Sequence, residues 1–272
     1  MIKLIASDLD GTLVPEATPD INPRLFERIL QLKELGVRFV AASGRQYPSI
    51  LDVFEPLRND IYFIADNGAF VIEKDQYLHS ITFPNETWKG IISLVHTFPG
   101  TRIMLSSIEG NYTDSTDLWF RDMVSKNLGL DLIYVEDFQK LTLHVSKIGV
   151  YCTDRNPREA ALLGKQYYEG KANIMVSGDF WQDYVPLGAD KGKALTELMR
   201  HLGISREETV AFGDNINDIG LLQAAGDSYA VAKAAPELKA VAGHILNEGP
   251  EEDGVLHVLE QFLAEEATGR KG

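Results

Sequence analysis

Short apolar runs that end on polar, glycine-marked turns recur along this chain and alternate with stretches of helical period. Ile2 to Ala6, Val37 to Ala42 and Ile61 to Ala65 each read as a buried strand, because a short apolar run bounded by turn residues fits an element covered on both faces. Between the first two, Leu25, Phe26, Ile29, Leu30 and Leu32 fall at helical spacing, and Gly36 supplies a C-terminal stop. The rhythm returns far downstream. It predicts a helix over about 193–202, a strand over 209–212, a helix through Leu221 and Leu222, strands at 229–232 and 244–246, and a closing helix over about 255–263. Alternation of this kind implies a parallel sheet with helices on both faces.

The segment from about Phe83 to Pro186 carries elements of its own. Trp88, Ile91, Ile92 and Val95 mark a helix, 101–105 and 147–151 read as strands, and 173–185, broken at Ser177-Gly178-Asp179, reads as a hairpin. The simplest architecture is an α/β sheet domain formed by residues 1–83 and 187–272 and interrupted by an inserted domain, 84–186. No repeat or low-complexity stretch is present, and 264–272 is expected to fray.

Composition narrows the setting. The 272 residues, 44% hydrophobic and 24% charged, suit one large or two ordinary globular domains. A net charge of −14, from 26 basic and 40 acidic side chains, disfavours nucleic acid and anionic membrane as partners. An anionic substrate would need a locally positive site, from a metal or a placed lysine. Cys152 is the only cysteine, so no intrachain disulfide forms and a cytoplasmic location is expected. Lys3, Asp8 and Asp10 interrupt the apolar N-terminus, which argues against a signal peptide, and no apolar run reaches membrane-spanning length.

The strongest chemical signal is Asp8-Leu9-Asp10-Gly11-Thr12-Leu13. A predicted strand delivers two carboxylates, one residue apart and pointing the same way, to a glycine turn. In open α/β sheets, ligands bind at the carboxyl ends of strands. At 4 Å and an effective dielectric near 20 the pair would repel by roughly 4 kcal/mol, so a cation is expected between them. Taken alone, the segment is a solvated acidic turn, a cation loop or a carboxylate nucleophile with a metal. An EF-hand fails, since Gly11 and Pro19 stand fourth and twelfth where Gly is needed sixth and Glu twelfth. Gly188 to Lys193 is not a P-loop, because Leu187 and Ala194 occupy positions that require Gly and Ser or Thr. Ser43-Gly44 lacks a nucleophile elbow, and the six histidines show no metal-ligand pairing.

Three further segments place polar residues at predicted strand ends or helix starts: Ser43, Lys191, and Gly213-Asp214-Asn215-Ile216-Asn217-Asp218. Singly, these are a helix cap, a solvated lysine and a capping cluster. Together, in this order and around a long insertion, they resemble the haloacid-dehalogenase-like hydrolase superfamily, specifically its Cof-type branch, as do Asn67-Gly68-Ala69 and the return from Pro186 to Lys191-Gly192. The resemblance implies a Rossmann-like core with a large α/β cap. It also implies a Mg²⁺-dependent phosphatase acting on small phosphate monoesters such as sugar phosphates. Asp8 would be the nucleophile and Asp10 the acid/base. Asp8, the backbone carbonyl of Asp10, and Asp214 would hold Mg²⁺, with Asp218 supporting the metal from behind. Ser43, Lys191 and Asn217 would bind the phosphoryl group.

Cap residues should select the leaving group, and Tyr112, Asp114, Trp119, Trp181 and Asp183 are candidates. The expected partner is a small phosphorylated metabolite; the sequence does not indicate the oligomeric state. Two other functions stay open at this level: a phosphotransferase or mutase using the same aspartyl-phosphate, and a non-catalytic protein that senses phosphorylated metabolites.

Overall fold

The computed structural model describes residues 1–15, 21–153, 157–176 and 179–267. In chain order its strands and α-helices are β1 (Leu4–Ser7), α1 (Pro23–Glu34), β2 (Arg38–Ala42), α2 (Tyr47–Phe54), β3 (Tyr62–Ala65), β4 (Phe70–Glu73) and β5 (Gln76–Ser80); then α3 (Asn85–Val95), β6 (Thr101–Ser107), β7 (Gly110–Thr113), α4 (Leu118–Leu128), β8 (Leu132–Tyr134), β9 (Val145–Cys152), α5 (Pro157–Tyr168), β10 (Ala172–Val176) and β11 (Trp181–Pro186). Last come α6 (Lys191–Leu202), β12 (Thr209–Gly213), α7 (Ile219–Ala224), β13 (Asp227–Ala230), α8 (Pro236–Lys239), β14 (His244–Ile245) and α9 (Gly254–Ala267). The chain divides into two compact units, Met1–Ser80 with Asp190–Gly272, and Ile81–Ala189.

The first unit is built on a sheet of order β14-β13-β12-β1-β2-β3-β4-β5. From β14 to β3 the pairing is parallel, with Leu4 opposite both Thr209 and Arg38. β1 and β12 are buried along their whole length, as their largely apolar sequences require of strands covered on both faces. The chain runs outward from β1 through β2 and β3, then returns to β12 on the other side of β1 and runs out the opposite way. The β1–β12 junction is therefore the topological switch point, where a crevice opens at the strand ends.

The α/β class and parallel core match the sequence pattern, but the sheet is not purely parallel. β4 pairs antiparallel with β3 and β5 antiparallel with β4, the last two joined by Lys74 and Asp75, both at positive φ. The short helix α2, which begins Tyr47-Pro48, carries too few turns for its period to be read.

The second unit is a sheet of order β10-β11-β9-β6-β7-β8, antiparallel except for β7 with β8. Trp88, Ile91, Ile92 and Val95 of α3 and Ala160 of α5 form one core with Ile103, Leu105, Ile148, Val150 and Tyr184. Phe120 and Val124 of α4 form a second core with Met104 and Tyr151. The hairpin expected over 173–185 is present as β10 and β11, while Ser177 and Gly178, where its break was expected, and 268–272 of the expected frayed tail lie outside the described residues. No described helix is long and apolar enough to cross a membrane.

Candidate active site

β1 carries Asp8 into the crevice, where it is 4% exposed and its backbone N–H donates to the Phe212 carbonyl of β12 at 3.0 Å. The chain then turns at Gly11, whose φ is +80°. A Cβ there would lie 2.5 Å from Oδ2 of Asp214, so glycine alone lets the loop after β1 meet the loop after β12. Thr12 Oγ lies 3.1 Å from Asp214 Oδ1 and 3.3 Å from Asp8 Oδ2, so its one proton is shared between the two carboxylates.

Lys191, the first residue of α6, has no exposed side-chain surface. Its Nζ donates to Asp8 Oδ1 at 2.5 Å and to Asp218 Oδ1 at 2.6 Å. Asp190 caps the helix through the Lys193 N–H, and Gly192 lets α6 reach this depth: a Cβ there would lie 2.1 Å from the Gly220 carbonyl oxygen of α7. The other oxygen of Asp218 accepts the N–H groups of Asp214 and Asn215, both at 3.1 Å, which shapes the loop after β12.

Two carboxylates thus hold one ammonium, with a third alongside. Burial raises the Asp8 pKa well above the ordinary aspartate range; Lys191 opposes this, while Asp218 and Asp214 add repulsion. Asp214 is raised as well, chiefly by burial. Burial alone would lower the Lys191 pKa, but Asp8 and Asp218 outweigh it and hold the ammonium above the usual lysine range. Asp8, Asp214 and Asp218 present oxygens all within 4.8 Å of one another. A hard oxygen donor set with an excess of negative charge fits a divalent cation.

Asp10 stands apart from this cluster. Its carboxylate is gripped by Arg45, with Nε donating to Oδ2 at 2.8 Å and Nη2 to Oδ1. Ser43, buried at the end of β2, accepts the Arg45 backbone N–H on its Oγ at 3.0 Å. Asn217, exposed on the loop after β12, donates through Nδ2 to Oδ1 of Asn67 at 3.0 Å. Asn67 in turn donates its backbone N–H to the Ser43 carbonyl at 3.1 Å. The structure therefore joins Asp8, Lys191, Asp214 and Asp218 directly. It links Asp10 with Ser43 through Arg45, and Asn217 with Ser43 through Asn67.

Residues 5–259 match the family model for haloacid dehalogenase-like hydrolases. The chain belongs to this family. Among haloacid dehalogenase-like relatives, it is 30% identical over 98% of both chains to the 5-amino-6-(5-phospho-D-ribitylamino)uracil phosphatase YbjI of Escherichia coli strain K12. It is 28% identical, over 97% of its length and 96% of the relative's, to the HMP-PP phosphatase of Shigella flexneri. A solved structure from Streptococcus mutans, SMU.1108c, superposes with a TM-score of 0.81 at 29% identity, covering 97% of this chain and 100% of the other. The subclass IIB sugar phosphatase BT4131 shares the fold at a TM-score of 0.77 and 23% identity, over 96% and 98% of the two chains.

Arg45 was not singled out from the sequence of this haloacid dehalogenase-like chain, and Thr12 and Asn67 were named only within motifs, with no role of their own. Arg45 stands two residues after Ser43 and is a cation beside an acidic cluster, a signal available in the sequence; the role of Asn67 depends on which loop its turn faces. In the second unit, Asp114 pairs with His96 at 2.6 Å, Tyr112 packs on the first core and Trp181 on the second, while Trp119 is exposed beside Tyr151. Asp183 lies on β11 opposite Gly149 and Met175.

Proposed function

We propose that this chain is a Mg²⁺-dependent phosphatase that hydrolyses small phosphate monoesters, sugar phosphates or similar metabolites, through an aspartyl-phosphate on Asp8. The observation that carries this reading is the buried Lys191 between Asp8 and Asp218, with Asp214 alongside. Such a cluster is costly to bury and suits an anionic nucleophile that must meet an anionic substrate. The two curated relatives are both phosphatases of small molecules by name, which supports the same substrate class.

In this reading an Asp8 oxygen attacks phosphorus and the bond to the ester oxygen breaks. Asp10 gives its proton to the departing oxygen. It then takes a proton from the water that attacks the aspartyl-phosphate, which releases inorganic phosphate and restores Asp8. Lys191 holds Asp8 in place and adds positive charge, while Ser43 and Asn217 donate to phosphoryl oxygens. Arg45 orients Asp10. Mg²⁺ would be held by Asp8, Asp214 and the Asp10 carbonyl, and when bound would supply the charge that lets nucleophile and phosphate approach. Asp218 has both oxygens engaged, by Lys191 and by two backbone N–H groups, and so serves the loop and the ammonium.

The same reading assigns catalysis to the unit of Met1–Ser80 and Asp190–Gly272 and substrate selection to Ile81–Ala189. It places the enzyme in the cytoplasm, where the lone buried Cys152 stays reduced. A screen of phosphate esters with Mg²⁺ or EDTA, on wild type and Asp8→Asn, tests it. Phosphate release is expected only from wild type with Mg²⁺; equal release by both proteins would remove Asp8 from its role.

A further inference from the structure

The turn Asp66–Gly68, which follows β3, belongs to neither the acidic cluster nor the Asp10 pair, yet three segments of the site meet on it. Asp66 and Asn67 are both left-handed, at φ +49° and +54°. L side chains seldom hold this conformation; Asn and Asp tolerate it best. Asp66 N–H donates to the Arg45 carbonyl at 2.9 Å and Asn67 N–H to the Ser43 carbonyl at 3.1 Å. Gly68, at φ +94°, lies so close to the start of α6 that a Cβ would fall 2.3 Å from the Asp190 carbonyl oxygen. The Asn67 side chain lies against Gly44, where a Cβ would be 3.0 Å from its Oδ1, and accepts from Asn217.

We propose that Asn67 is a positioning residue for phosphate binding: its side-chain carbonyl fixes the carboxamide of Asn217, and its backbone ties that amide to Ser43. The inference rests on the phosphatase reading and deepens it. A carboxamide has a donor end and an acceptor end of nearly the same shape. An exposed Asn217 without a partner would present either end to an incoming phosphoryl group, and the acceptor end repels it. Accepting one Nδ2 proton selects the flip with the donor end inward and leaves the second proton of the same group for a phosphoryl oxygen. The strained backbone is held from three sides, a pattern found where geometry serves a site. Because Ser43 and Asn217 hang on the same residue, the distance between the two donors is set by Asn67.

A double-mutant cycle tests this. Asn67→Gly keeps the left-handed backbone and removes the side chain that accepts from Asn217, so its melting temperature should change little. Its kcat/KM should fall by about five- to tenfold, the worth of one oriented hydrogen bond, and its inhibition constant for inorganic phosphate should rise by a similar factor. In the Asn217→Ala background the same change should cost nothing more, because Asn67 acts through Asn217. Unchanged kcat/KM in Asn67→Gly, or losses that multiply in the double variant, would overturn the proposal. If Asn67→Gly does not fold, the Asn217 side-chain amide protons, identified by their loss in Asn217→Ala, decide. Two dispersed, slowly exchanging signals support a held amide; a rapidly exchanging pair at unfolded positions overturns it. Multiplying losses in an active enzyme would sink Asn67 alone, whereas a wild type that releases no phosphate from any ester while the amide is held would sink the phosphatase reading.

Discussion

Replacing Lys191 with Met would keep the length and packing of the side chain while deleting the charge between Asp8 and Asp218. At separations of 2.5 and 2.6 Å each attraction is worth about 6 kcal/mol at an effective dielectric near 20. Burying the ammonium costs several kcal/mol, so the net loss is far below their sum. What the variant leaves is two buried carboxylates with oxygens no more than 4.8 Å apart, repelling by about 3.5 kcal/mol at the same dielectric. Breaking a buried pair by removing one partner costs about 3–5 kcal/mol, and the remaining repulsion is of that size. The variant relieves it by protonating Asp8, whose pKa rises further once Lys191 no longer opposes burial. The folded state then binds a proton that the unfolded state, titrating near 3.9, does not. Stability therefore falls as pH rises from the unfolded value through the raised folded one. Urea unfolding in EDTA should show Lys191→Met weakened by about 3–5 kcal/mol at pH 8 and clearly less at pH 5. Equal midpoints for variant and wild type at pH 8 would refute the reasoning.

Arg45→Ala should lower kcat by about tenfold, the worth of a charge-assisted hydrogen bond that orients Asp10, while urea unfolding shifts by no more than about 1 kcal/mol because the pair is partly exposed. Arg45→Lys should recover only part of the rate, since a point charge cannot reproduce the two-point grip; full recovery would argue against orientation. Gly192→Ala should lower the melting temperature, at a cost of about 1–3 kcal/mol for forcing α6 from α7, and an unchanged melting curve would contradict the 2.1 Å approach to Gly220. The His96 pKa is raised by its hydrogen bond to Asp114, against the effect of burial. The protonated ring is thus favoured in the folded state, so its stabilisation is complete below about 6.5 and is lost as pH rises through the folded value. An NMR titration should show His96 returning towards the ordinary range in Asp114→Asn.

Much of the core was legible because parallel strands buried on both faces must be largely apolar, and β1, β2, β3 and β12 are, with only Ser7, Arg38 and Thr209 as clearly polar residues at their ends. The antiparallel extension was not. β5 is largely exposed, and the Lys74-Asp75 turn reaches positive φ without the Asn-Gly pair that marks such turns. In the second unit α4 escaped notice because Leu118 and Trp119, which open it, face solvent and blur its apolar stripe. Asp8, Ser43, Lys191 and Asp214 were readable because each sits at the end of a strand or the start of a helix, where local pattern and chemistry coincide.

The residue types at those ends, the order of strands and helices, and the glycines where backbones must meet were written in the chain, because each is a local demand of burial, period or dihedral angle. Which side chains share a proton or a charge was decided only in three dimensions. Lys191 lies 183 positions from Asp8 and Asn217 lies 150 from Asn67, and nothing local specifies such pairs. The return of the chain to the other side of β1 makes them neighbours, and the low-dielectric crevice formed there turns ordinary carboxylates and an ordinary lysine into a candidate site.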